Sequence, residues 1–146
     1  MIILRPITRD NFHACIDLKI TADQEPFVAN NVVSIAQAYV EPLFVPRAIY
    51  DGDTIVGFLL YGRDAKTGAD WIIRLMIDAA YQGRGYGRAA MEQAIDLLKQ
   101  QPDCKEILIS YMPENAVAER LYASLGFVPT GEVDQGEVVA RLAVRQ

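Results

Sequence analysis

The sequence predicts an α/β fold in a single domain over residues 1–146. Three observations carry this. Apolar runs of strand length alternate with runs of helical period, in the order β-α-α-β-β-β-α-β-α-β-β. The strongly apolar run 71–78 is separated from the strand-length run 106–112 by a helical pattern, and a helical crossover is what a parallel strand pair requires. With 146 residues, 51% hydrophobic and 23% charged, the chain can bury a core without cross-links.

The elements follow in order. Residues 2–5 read as a first strand. Thr8 is an N-cap, and Phe12, Cys15, Ile16 and Ile20 trace one face of a helix over 9–20. Residues 21–31 are polar and broken by Pro26, hence a loop. A second helix, 33–39, stops before Pro42. Residues 44–50 and 54–62 form a hairpin over Asp51-Gly52-Asp53, and 64–68 turn into the central strand. After a glycine-rich loop comes a helix to about residue 101, then the strand 106–112. A further helix begins after Pro113, and strands 127–133 and 137–144 close the chain around Gln135-Gly136. No internal repeat, low-complexity tract or linker interrupts this order.

Composition excludes several classes. A net charge of −5 argues against a nucleic-acid surface, which needs clustered Lys and Arg. It favours cationic ligands only weakly, because acidity also serves solubility. No apolar run approaches 18 residues, so no membrane span is expected. The segment 1–6 is too short and too soon interrupted for a signal peptide. Cys15 and Cys104 stand alone, without C-x-x-C spacing, which fits a reducing cytoplasm and no metal. No exposed apolar stripe is visible.

The most informative stretch is Gln82-Gly83-Arg84-Gly85-Tyr86-Gly87-Arg88, between an apolar strand and a helix. Such a handover leaves backbone N–H groups unpaired at the helix start, where the helix dipole adds positive charge. The place suits a phosphate or pyrophosphate. A nucleoside-triphosphate loop needs G-x-x-x-x-G-K-[ST] and a dinucleotide loop G-x-G-x-x-G; neither spacing occurs here.

A second pattern is Asn115-Ala116-Val117-Ala118-Glu119-Arg120-Leu121-Tyr122-Ala123-Ser124-Leu125-Gly126-Phe127. Ala118, Leu121, Tyr122 and Leu125 recur three and four apart, and Gly126 stands where a left-handed C-cap ends a helix. A capped amphipathic helix explains the periodicity but not Asn115 or Tyr122. Together, Q-x-x-G-x-G and N-x-x-A-x-x-L-Y-x-x-x-G-F resemble the two signatures of the GNAT superfamily of acyl-coenzyme A dependent N-acetyltransferases. The element order resembles that family's along the whole chain.

The resemblance implies a mixed, mostly antiparallel twisted sheet flanked by about four helices. Two parallel strands, ending near Ile77 and Ser110, splay apart to admit the cofactor's pantetheine. It also implies acetyl-coenzyme A as co-substrate, no metal, a small-molecule amine as acceptor, and room for a homodimer. Cofactor contacts fall to Leu75, Met76, Ile77, Gln82, Gly83, Arg84, Gly85, Tyr86, Gly87, Arg88, Asn115 and Ala118. For Arg88 a solvated helix face is an equal reading, and for Asn115 a helix N-cap.

The chemistry has three needs. A primary amine of pKa ~10.4 is neutral in only about one molecule in ~2,500 at pH 7, so a base or water chain must take its proton. The thioester oxygen needs a donor, which a backbone N–H near Met76 or Ile77 can supply. The leaving thiolate needs a proton, and Tyr122 is the family's position for that donor; its ring can equally pack against the strands. His13, the sole histidine, lies away from both signatures. Within the family, the chain is similar to bacterial spermine/spermidine acetyltransferases over residues 23–31, Tyr61-Gly62 and Trp71. That similarity implies Asp23, Glu25, Phe27 and Trp71 as substrate contacts. Asp23, Glu25 and Glu41 can equally be solvated carboxylates. One departure is Ile73, where those enzymes often carry an acidic residue.

Overall fold

The computed structural model describes residues 1–27 and 29–145; Val28, within the predicted substrate loop, and Gln146 lie outside the described residues. Among the described residues seven strands form one sheet: β1 (Ile2–Pro6), β2 (Phe44–Asp51), β3 (Thr54–Arg63), β4 (Asp70–Ile77), β5 (Glu106–Tyr111), β6 (Val128–Asp134) and β7 (Glu137–Ala143). Their spatial order is β1-β2-β3-β4-β5-β7-β6. Each neighbouring pair is antiparallel except β4 and β5. Among the described residues four α-helices flank the sheet: α1 (Phe12–Ile16), α2 (Asn31–Val40), α3 (Tyr86–Lys99) and α4 (Ala116–Ser124).

Both faces of the sheet's centre are covered, which is why β3 reads as the nearly continuous run Ile55-Val56-Gly57-Phe58-Leu59-Leu60. On one face α3 lays Ala90, Met91, Ala94, Ile95 and Leu98 on Leu59, Ile72, Ile107 and Ile109, with α4 beside it. On the other, Cys15 of α1 packs on Phe58, Leu60 and Met76, and Ile35 and Ala38 of α2 join them. Cys15 and Cys104 are free and fully buried, and desolvation pushes both thiols up to about 11. No helix among the described residues is long and apolar enough to cross a membrane.

The structure corrects the sequence reading at three places. The first helix is not 9–20 but five residues long. Its entry is a turn in which the Thr8 N–H donates to Asn11 Oδ1 at 2.8 Å, so Asn11 rather than Thr8 stands at the N-cap. Its exit is fixed by tertiary bonding, since the Lys19 N–H donates to Asp78 Oδ1 at 2.8 Å and the Ala79 N–H to the Lys19 carbonyl at 2.6 Å. Those bonds commit residue 19 to the end of β4 instead of a helical turn. The third helix does not follow the glycine-rich loop but begins inside it, because Tyr86, Gly87 and Arg88 form its first turn. Finally, α2 does expose apolar side chains, Val32, Val33, Tyr39 and Val40.

The far end of β4 is held by charge. Arg63 donates to both carboxylate oxygens of buried Asp70 at 3.0 Å, and to Asp103 at 2.6 and 3.0 Å. This clamp sits where β4 and β5 are still paired.

Candidate active site

The parallel pair holds only at Asp70–Ile107 and Trp71–Leu108. Beyond them β4 and β5 diverge, leaving strand edges without a partner strand between them. The divergence opens a cleft of about 750 Å³ lined from both sides of the sheet. Its lining runs along β4 from Ile73 to Ile77, over the glycine loop, and past the end of β5 to Asn115, Ala118, Leu121 and Tyr122.

At one end stands the glycine loop. Gly83 and Gly85 have φ of +79° and +82°, the left-handed region that glycine adopts without strain, and nothing lies within 4 Å of where a Cβ would be. Gly85 is the N-cap of α3. None of the backbone N–H groups from Gly83 to Arg88 finds an acceptor among the described residues. Consecutive free donors at the start of a 14-residue helix can hold a pyrophosphate.

Loop side chains brace this arrangement. Gln82 Nε2 donates to the Ile77 carbonyl at 3.0 Å, tying the loop back to β4. Arg88 donates to Ser124 Oγ at 2.6 Å and pairs with Glu92 at 3.1 Å, so it joins α3 to α4 while still lining the cleft. Arg84 lies outside the cleft lining, its guanidinium 5.6 Å from the Tyr81 ring centroid. Asp78, a residue that pattern reading passes over, accepts from the Lys19 and Ala80 N–H groups and so ties the loop's first turn to the chain leaving α1.

The opposite wall is α4. Asn115 serves as its N-cap, with Oδ1 accepting from the Ala118 N–H at 3.3 Å. Its Nδ2 has no acceptor among the described residues, and the residue lines the cleft. The helix ends in a Schellman turn: the Phe127 N–H reaches the Tyr122 carbonyl at 3.1 Å, and the Gly126 N–H reaches Ala123 at 3.1 Å. Phe127 packs its ring 6.1 Å from that of Tyr122, and Tyr111 lies 5.8 Å away on another side. Tyr122 is thus held through both backbone and ring. Its hydroxyl makes no hydrogen bond to a described residue, and burial, with the nearby Glu137 carboxylate, pushes the phenol up to about 12. A phenol that stays protonated in a cleft can give its proton to a thiolate.

Of the expected acceptor-side residues, Asp23 and Phe27 line the cleft, while Glu25 and Trp71 do not. Trp71 stands at the closed end of the splay, opposite Leu108 and Gly62. Other residues that the sequence reading left out also line the cleft, among them Arg74, Ser110 and Glu137. Arg74 is half-buried, and desolvation holds its guanidinium below its usual range. Among the described residues it donates to the Ile73 carbonyl at 3.0 Å and to Gln37 Oε1 at 3.5 Å. A lone arginine within Trp71-Ile72-Ile73-Arg74-Leu75-Met76-Ile77 was a legible signal. Glu137 had none, since a charged residue after a turn reads as solvated.

These features suit an acyl-transfer site of coenzyme A type. The Acetyltransferase (GNAT) family model matches residues 12–127, so the chain belongs to the GNAT family of N-acetyltransferases. The acyl donor of such enzymes is acetyl-coenzyme A. Among its relatives, the spermine/spermidine N(1)-acetyltransferase of Bacillus subtilis (strain 168) is 33% identical over 143 residues, which is 93% of this chain and 94% of that protein. Solved structures show the same fold. A spermidine N-acetyltransferase from Vibrio cholerae, in complex with CoA and spermine, superposes with TM-score 0.71 at 17% identity, covering 96% of this chain and 92% of that one. An aminoglycoside acetyltransferase in complex with coenzyme A gives 0.79 at 16%, covering 98% and 95%.

Proposed function

We propose that this enzyme transfers acetyl from acetyl-coenzyme A to a primary amine of a polyamine or diamine, by direct attack in a ternary complex. The observation that carries the acceptor is the 33% identity to a spermine/spermidine acetyltransferase, sustained over 93% of the chain. The N–H groups of Gly83 to Arg88 take the pyrophosphate. The open edges of β4 and β5 and the Asn115 amide take the pantetheine arm. Leu75, Met76, Ile77 and Ala118 line its path, and a β4 backbone N–H holds the thioester oxygen. Tyr122 protonates the departing thiolate. The amine enters from the side of Asp23 and Phe27, where a cation finds a carboxylate and an aromatic face.

The test offers acetyl-coenzyme A with spermidine, a dipeptide and an aminoglycoside separately and follows thiol release. Spermidine is expected to give the highest kcat/KM. A preference for the dipeptide or the aminoglycoside moves the acceptor class. Cofactor binding without release to any amine turns the reading toward an acyl-coenzyme A sensor.

A further inference from the structure

On that reading the attacking amine must shed a proton, and the cleft wall formed by β4 holds no carboxylate to take it: from Ile73 to Ile77 its one ionisable side chain is Arg74. Among the described residues two carboxylates line the cleft, Asp23 and Glu137. Asp23 is exposed, on a loop. Glu137 is half-buried and opens β7, a strand locked between β5 and β6, with its backbone opposite Asp134. Its Oε1 accepts from Ser110 Oγ at 3.4 Å, which aims it at the end of β5 where the splay is widest.

Three neighbours define what this carboxylate meets. Ser110 faces it from β5, Arg74 from across the splay on β4, and Tyr122 from α4; its negative charge acts on both the guanidinium and the phenol. Arg74 makes no ion pair among the described residues, so its charge disfavours a second cation at the reaction centre. An ammonium arriving between Arg74 and Glu137 has Glu137 in place to receive its proton, and that transfer removes its repulsion with Arg74.

We propose that Glu137 is the catalytic proton acceptor of this enzyme, held by Ser110 as a positioning residue. The ammonium gives one proton to a Glu137 oxygen, directly or through one water, leaving a neutral amine and a neutral acid. The nitrogen lone pair forms the C–N bond at the thioester carbonyl carbon. The C–S bond then breaks with its electron pair on sulfur. The thiolate takes the Tyr122 proton, the nitrogen gives its second proton to the Tyr122 phenolate, and Glu137 returns its own to water. The sum is one amide, one thiol and one released proton.

The test compares Glu137→Gln, which retains an acceptor for Ser110, with the unaltered enzyme on spermidine. At pH 7 the variant is expected to lose about 100-fold in kcat/KM, with coenzyme A affinity and Tm unchanged. Without its base the variant depends on amine that is already neutral. The deficit is therefore expected to shrink by about tenfold per pH unit toward pH 9. Glu137→Asp is expected to restore part of the rate. If Glu137→Gln does not fold, Ser110→Ala takes its place, with a several-fold loss that also shrinks as pH rises. A deficit constant with pH overturns the role in favour of anchoring or structure, and an undiminished rate overturns it outright. Either result leaves the polyamine reading standing. An unaltered enzyme that does not use spermidine overturns that reading, and the same ratio is then measured on the amine it does use.

Discussion

The Tyr86 hydroxyl donates to Oδ2 of Asp51 at 2.5 Å, while Oδ1 of the same carboxylate accepts from the amino terminus at 3.1 Å. A residue of the glycine loop is thereby fastened to the β2–β3 hairpin, 35 positions earlier in the chain. The bond holds the Asp51 carboxyl below its usual range and raises the Tyr86 phenol. Tyr86→Phe and Asp51→Asn should each loosen the first turn of α3 and weaken coenzyme A binding several-fold. Because both touch the Tyr86–Asp51 bond and only Asp51→Asn also weakens the pair with the amino terminus, the double variant should be no worse than Asp51→Asn alone. Calorimetric titration with coenzyme A checks both points.

Gly85→Glu should weaken coenzyme A binding by 100-fold or more (about 3 kcal/mol). It imposes a side chain on a residue at φ +82° and places a negative charge among donors meant for phosphate. Unchanged affinity, measured the same way, would remove the pyrophosphate from this loop.

Tyr122→Phe should lower kcat by about 10- to 100-fold and leave the KM for acetyl-coenzyme A nearly unchanged, since ring packing on Phe127 and Tyr111 survives. With the phenol pushed up to about 12, the unaltered enzyme should show no loss of kcat from Tyr122 ionisation up to about pH 10. Steady-state rates across pH separate this donor from a purely structural tyrosine.

Asp70→Asn should destabilise the fold by about 2–3 kcal/mol in urea, because it breaks a bidentate pair at a buried position and leaves Arg63 to Asp103 alone. The same substitution loosens the short paired segment of β4 and β5 from which the cleft diverges.

Acid should unfold the protein through Asp51 and Asp103. Both carboxyls are held below the usual range, Asp51 chiefly by Tyr86 and Asp103 chiefly by Arg63. The unfolded chain therefore binds more protons than the folded one near pH 4, so this stability is present above that range and is lost as pH falls through it. Tm measured from pH 7 to pH 3 should drop, and Asp103→Asn should flatten part of the drop.

The sequence by itself determined the element order, the glycine loop and the helix that bears Tyr122. These are written in local spacing, where glycines, caps and three-four periodicity act over a few residues. Even the Schellman end of α4 follows from Gly126 and Phe127. Only the tertiary structure decided which distant groups share the cleft. Helix α1 stops where Lys19 bonds to the end of β4, and Trp71, read as a substrate contact, lies at the closed end of the splay. Arg74, Ser110 and Glu137 meet because β4, β5 and β7 lie side by side in the sheet, although β7 follows β5 only after α4 and β6. Strand order and the point of splay come from packing both faces of the sheet at once, so no stretch of sequence carries them. The glycine loop and α4 are local patterns, while Arg74, Ser110 and Glu137 come to the cleft from strands far apart in the chain.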